Sequence, residues 1–194
     1  MSVINSYEQF YPKDRKAWRS WLSKNYNKVP GVWLVYYKKE SGQPRVAYAD
    51  AVEEALCFGW IDSTMRPLDD ERYMQLFTPR KPKSEWSKLN KQRVEKLTEQ
   101  GKMTPAGLEK IAISKQNGHW EKLDHVEALL MPDDLRKEIR KSRKALAYFE
   151  ALKTTNKKYL LHWLNSAKRE ETRAKRIAEI VDALKQERMP DRYL

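Results

Sequence analysis

Residues 32–37, Val-Trp-Leu-Val-Tyr-Tyr, limit more than any other segment what this chain can become. Every position is β-branched, aromatic or leucine, so the strand they form is apolar on both faces and must be covered on both. Such a strand needs partners at its edges and helices over its faces. Pro30-Gly31 precedes it and Ser41-Gly42-Gln43-Pro44 turns the chain after it.

The flanking sequence supplies those partners. Trp18, Trp21 and Leu22 recur at helical spacing between Lys13 and Tyr26. Asp50 followed by Glu53 resembles a cap and its returning acid, with Val52, Ala55, Leu56 and Gly59 on one helical face, Gly59 being placed to end that helix left-handed. Ile61, Ser63 and Met65 then alternate up to the acidic turn Asp69-Asp70-Glu71, and the chain returns through Arg72 to Thr78, which predicts a hairpin.

Beyond the basic stretch 79–83, Ser84 is placed to cap a helix running to Gln100, and Thr104-Pro105 starts another that stops near Gly118. The pattern loosens from Trp120 to Pro132. After it come three helical patterns, capped by Ser142 and Thr155 in the first two and lined by Ile177, Ile180, Val181 and Leu184 in the last. The expected fold class is α+β. Residues 1–125 form a small antiparallel sheet with flanking helices, and residues 126–194 an all-α helical module.

With 40% hydrophobic residues, seven Trp and ten Tyr, the chain has enough apolar material to close cores and too much for disorder. The N-terminal segment lacks the apolar centre of a signal peptide, and no run approaches the roughly 20 apolar residues that span a bilayer. A cytoplasmic location is expected. The single cysteine, Cys57, excludes an internal disulfide and a C-x-x-C motif. It also falls off the apolar stripe near the C-terminal end of its helix, where the partial negative charge disfavours a thiolate.

His119, His125 and His162 form no H-x-x-x-H pair, so no metal site is expected. Six glycines and no G-x-G-x-x-G or Walker sequence leave no phosphate-cradling loop, and no cofactor is expected. No histidine is placed to serve Asp62 and Ser63 as a base, so no catalytic residue is assigned.

What remains is a set of semi-buried polar residues. On a helix begun at Ser84, Trp86, Leu89, Val94 and Leu97 define an apolar arc that also contains Asn90 and Arg93. A buried guanidinium needs an acid or an anion, and Asp62, in the apolar stretch Phe58-Gly59-Trp60-Ile61-Asp62-Ser63, is the acid to pair with it. Two readings follow. In one the pair is a closed salt bridge pinning hairpin to helix. In the other, Asp62, Ser63, Asn90 and Arg93 line a pocket between Trp60 and Trp86 for a small anionic or polar ligand.

The net charge of +12 raises a nucleic-acid alternative, centred on Arg80, Lys81 and Lys83 beside Trp86. Its plainer counterpart is a rigid proline-held connector on a charged, soluble surface. In the closing stretch Ala167 to Ile177, the apolar stripe of the last helix extends back through Arg173 and Glu170, with Thr172 and Arg176 at its edge. Glu170 and Arg173 are spaced to pair with each other or with a neighbouring helix, a structural lock.

Four stretches, ALCFGWIDS, FTPRKPKSEWSKLNKQRVEKL, GKMTPAG and AKREETRAKRI, spread over nearly the whole chain, together resemble the bacterial bacteriocin-protection, YdeI/OmpD-associated family. The resemblance implies a role in protection against bacteriocins or in envelope-related stress. It supplies no catalytic residue. The expectation is a non-enzymatic binding protein, with the nucleic-acid role, or an enzyme using Asp62 as acid or base, as alternatives.

Overall fold

A computed structural model describes residues 7–191, which divide into two compact units on either side of the step from Glu121 to Lys122. The first is built on a four-stranded sheet in the order β1-β2-β4-β3, from β1 (Gln9–Phe10), β2 (Val32–Tyr37), β3 (Trp60–Pro67) and β4 (Arg72–Pro79). The doubly apolar segment is β2, an interior strand buried from Val32 to Tyr36. Its pairing with β4 and the β3–β4 hairpin are antiparallel, as expected. The two-residue β1 runs parallel to β2, a contact too short to leave a pattern in the sequence.

Helices α1 (Arg15–Asn25), α2 (Tyr48–Cys57), α3 (Lys88–Glu99) and α4 (Pro105–Gln116) complete this unit. Register places Val32, Leu34 and Tyr36 opposite Phe77, Gln75 and Tyr73, and Asp62 opposite Phe77. Strand neighbours that face each other share a side of the sheet. That side meets the helices: Trp18 of α1 lies edge-on to Phe77 with ring centres 5.5 Å apart, and its indole N–H donates to the Ala51 carbonyl of α2 at 3.0 Å. A register shift after Asp62 ends the regular alternation of β3.

Two glycines fix how α2 ends. Gly59 has φ +73°, the left-handed stop expected of it. Gly107 lets α4 lie directly on the end of α2, since a Cβ there would sit 2.3 Å from the Cys57 carbonyl oxygen. Thr104, the cap of α4, donates to that same carbonyl from its hydroxyl at 2.6 Å and its backbone N–H at 3.1 Å. Cys57 is therefore fully buried, not off to one side, because α4 covers the flank that a helical projection of α2 leaves open. Burial pushes its thiol pKa up.

Three helix starts differ from the sequence expectation. α2 begins at Tyr48 after Ala47, not at Asp50, whose carboxylate is held by Arg15. α3 begins at Lys88 with Ser87 as cap, three residues beyond the cap expected at Ser84, because Ser84 is used in a turn with Lys81. α8 begins at Thr154 after Lys153, not after Thr155.

The second unit contains α5 (Asp124–Glu127), α6 (Asp133–Ile139), α7 (Arg143–Ala151), α8 (Thr154–Asn165) and α9 (Glu170–Lys185) around Leu135, Ile139, Leu160, Leu164, Ile180 and Leu184. Ser142 caps α7 as expected. No helix of the described residues is long and apolar enough to cross a membrane.

Candidate functional site

Asp62 stands on the helix-facing side of the sheet, half-buried, and its Oδ2 accepts from the Tyr48 hydroxyl and from Nε2 of Gln75, both at 2.8 Å. Tyr48 opens α2 and is 44% exposed, so it forms the outer wall of this corner. Burial, with the hydrogen bond to Asp62 and its charge, pushes the Tyr48 phenol up to about 12. At neutral pH it is a donor and not a base.

Inside that wall lies Tyr36, fully buried, whose hydroxyl has no hydrogen-bond partner. Its phenol is raised well above the ordinary value, first by burial and then by the neighbouring Tyr73 and Asp62. Tyr73 stacks on it with ring centres 5.0 Å apart.

The second buried group is Arg80, the first residue past β4, whose N–H still donates to the Gly59 carbonyl at 2.8 Å. The chain then turns through 81–87 and brings the Trp86 ring beneath the guanidinium, 3.6 Å from the ring centre. Trp86 packs in turn on Trp120 at 4.8 Å. Arg80 is 2% exposed; Nη1 donates to the Glu85 carbonyl at 3.2 Å, while Nε and Nη2 are buried without partners. Burial lowers its pKa to about 10, and Asp62 is the charge that opposes the shift. The two are not an ion pair, since every oxygen–nitrogen separation exceeds 4.0 Å.

Arg93 does not pair with Asp62: it is half-buried on α3 and donates to Asn90 Oδ1 at 3.0 Å, with its charge also felt by Tyr48. Ser63 is exposed and its hydroxyl donates weakly to the Leu76 carbonyl at 3.4 Å, so it does not line the corner. Trp60 is core, its indole N–H spent on the Tyr26 carbonyl at 3.0 Å. Trp86 is a platform under Arg80.

The basic stretch splits the same way. Lys81 and Lys83 are exposed, but Arg80 is out of reach of a nucleic-acid backbone. Tyr36, Tyr48 and Gln75 were not singled out from the sequence, and Arg80 was singled out only for the nucleic-acid alternative. A tyrosine in the middle of a doubly buried strand was the available signal, because its hydroxyl must find a partner or go without.

In the second unit Arg173 reaches Asp134 of α6, with Nη2 at 2.9 Å from Oδ1 and Nε on Oδ2, and also bonds the Leu164 carbonyl and Asn165. Those bonds hold the Asp134 carboxyl below its usual range. Arg176 bonds the Trp163 carbonyl and the Ser166 hydroxyl. Two arginines thus close the C-terminal end of α8, where carbonyls lack partners and the helix dipole is negative. The pairing across to another helix is the one that forms; Glu170 is exposed and Thr172 half-buried. A groove of about 590 Å³ between α6 and α9 is lined by Ile177, Val181, Lys137 and Lys185 among others, with no buried unpartnered polar group of the described residues in it.

No group of three or more His, Cys, Asp or Glu among the described residues is placed to hold a metal ion. The charge of Asp62 acts on both Arg80 and Tyr36, the two side chains here whose buried donors lack partners.

Two family models match the chain. A domain of unknown function, DUF8412, covers residues 10–110, more than half of the sequence, and the family described as Bacteriocin-protection, YdeI or OmpD-Associated covers residues 128–187. The first three of the four stretches quoted above fall within the former match and the fourth within the latter, so the bacteriocin-protection resemblance is carried by the helical unit. No curated protein and no solved structure matches.

Proposed function

This chain belongs to the DUF8412 domain family and carries a bacteriocin-protection, YdeI or OmpD-associated segment in its second unit, and from this premise we propose a protection-type protein that acts by binding a small polar ligand in its first unit. The ligand sits between Asp62, Arg80 and Tyr36. One observation carries the reading: Nε and Nη2 of Arg80 and the hydroxyl of Tyr36 are buried with no partner. Leaving a buried donor unsatisfied costs about 1–3 kcal/mol, and more when the group is charged. A fold that keeps two such side chains beside one acid is organised around a guest.

Tyr48 is the gate in this reading. It is the exposed member of the cluster and its hydroxyl is bonded to Asp62, so rotating it outward uncovers the carboxylate and the inner donors. Catalysis is not part of the proposal, because Tyr48 stays protonated near neutrality and the cluster adds no nucleophile. A cytoplasmic location belongs to it.

Native mass spectrometry of protein purified gently from its host tests this. A small-molecule adduct on the wild type, absent from Arg80→Met, is the expected result. A bare wild-type mass, together with a high-resolution crystal structure showing only water beside Arg80, would contradict it.

A further inference from the structure

We infer that the groove between α3 and α4 binds single-stranded nucleic acid, with a base stacked on Trp120 and phosphates met by the lysines gathered around that ring. The site belongs to the first unit, uses neither Asp62 nor Arg80, and does not depend on the small-ligand reading above.

The ring is the first observation. Of the two tryptophans packed together here, Trp86 is sealed at 2% exposure, whereas Trp120 is half-buried and keeps part of its surface in reach. Trp120 lines a groove of about 540 Å³ together with Val94 of α3 and Leu108 and Ile111 of α4. An accessible indole beside an apolar groove is a stacking platform, and every base has a π-face to lay on it. The platform is set before any ligand arrives. The Trp120 backbone N–H donates to the Ser114 carbonyl at 3.0 Å, and its ring lies on Trp86 with centres 4.8 Å apart.

The charge around the ring is the second. The Lys91 ammonium lies 5.3 Å from the Trp120 ring centre and the Lys115 ammonium 5.2 Å, so cations from two helices meet at one aromatic, and both line the groove. Like charges brought to one ring repel, and a phosphate between them reverses the sign. The basic turn is tied to the same place. Asn117, the residue that ends α4, donates from Nδ2 to the Pro82 carbonyl at 2.7 Å, and the exposed Lys81 and Lys83 flank that proline. Three separate stretches of chain thus bring lysines to one ring.

Their spread selects the ligand. Lysines distributed from a turn to a groove match a run of phosphates better than the single phosphate of a mononucleotide, and a duplex hides the base faces that Trp120 would stack on. Further along α3 the groove is lined by Glu95 and Glu99, which repel a phosphate backbone. The strand therefore leaves the ring over Lys115, Lys81 and Lys83.

Fluorescence anisotropy of the full chain with a labelled oligothymidylate of about twelve nucleotides, a length such platforms occupy, tests this against an abasic oligomer of equal length, a duplex and thymidine monophosphate. The oligothymidylate is expected to bind at least about fivefold more tightly than the abasic oligomer; Trp120→Leu removes that advantage and Trp120→Phe keeps most of it. Lys115→Ala weakens both oligomers and makes the slope of log affinity against log salt shallower by about 0.7, one phosphate contact fewer on a single strand. Lys115 is exposed, so this variant keeps the test valid where Trp120→Leu folds poorly. Lys137→Ala, an exposed lysine of the second unit, should leave affinity and slope unchanged. Equal binding of the abasic oligomer, or duplex or monophosphate bound as tightly as the strand, would overturn the inference. So would a slope lowered as much by Lys137→Ala as by Lys115→Ala, or no rise in anisotropy at low ionic strength.

Discussion

Glu54 and Arg80 are equally buried, each 2% exposed within the same unit, and the fold treats them in opposite ways. Glu54, on α2, is met by two arginines of α1: Arg15 Nε lies 2.6 Å from Oε1 and Arg19 Nη1 2.6 Å from Oε2. Arg15 also reaches Asp50 at 2.6 Å and Glu53 at 2.9 Å. Burial alone would lower the Arg15 pKa, but Glu54 and its neighbours raise it instead. Arg80 has only a carbonyl and an aromatic ring, and its pKa falls. The first cluster closes on itself and joins two helices; its one loose end is Nη2 of Arg15. The second leaves its side-on edge open. In the proposed reading, a buried charge marks structure or binding according to whether its partners come from the chain.

The largest effect expected is at the closed cluster. Glu54→Ala strands Arg15 and Arg19 and should cost on the order of 2–3 kcal/mol in urea unfolding, less than for a fully buried pair because both arginines are partly exposed. A loss near zero would break the comparison. Gly107→Ala, on α4 where it lies against the end of α2, is a steric control: forcing a Cβ against the Cys57 carbonyl should cost about 1–3 kcal/mol. Its loss should be independent of salt, whereas part of the Glu54→Ala loss should shrink as salt rises.

Arg173 extends the comparison to the second unit as a paired arginine nearer the surface. Its bonds depress the Asp134 pKa, so their contribution is fully present above the unfolded-state carboxylate value and fades as pH falls through the lower folded value. As pH falls below about 4, the ordinary carboxylate value, the stability of wild type should drop more steeply than that of Arg173→Met. Parallel pH curves for the two proteins would count against the contact. The smallest effect is at Arg80. Arg80→Met gives up the contact with Trp86 but removes an under-paired charge, and should leave stability within about 1 kcal/mol of wild type.

The same contrast explains what could be read from the sequence. The β2 strand, the hairpin, the Thr104 and Ser142 caps and the Gly59 stop are local patterns, and each was legible. The candidate corner was not, because it depends on two placements that local patterns hide. Beginning α3 at Ser84 put Trp86 on the helix and drew an apolar arc through Leu89, Asn90 and Arg93. With the helix starting at Lys88, Trp86 lies before it and Leu89 is 54% exposed, so that arc did not mark the buried face. Arg80 sits among lysines and prolines that read as a solvated connector. Only the turn at 81–87 and the return of Trp86 bury it, and that is a tertiary event. Asp62 could be singled out because an acid in an apolar run stands out whatever surrounds it.

The central claim is that Arg80 is kept for a partner outside the chain, and the most direct test is the unfolding free energy of Arg80→Met beside that of Glu54→Ala, measured on ligand-free protein. The account predicts that Arg80→Met stays within about 1 kcal/mol of wild type while Glu54→Ala falls by on the order of 2–3 kcal/mol. A loss at Arg80→Met as large as that at Glu54→Ala would contradict it, and would make Arg80 one more strut of the fold.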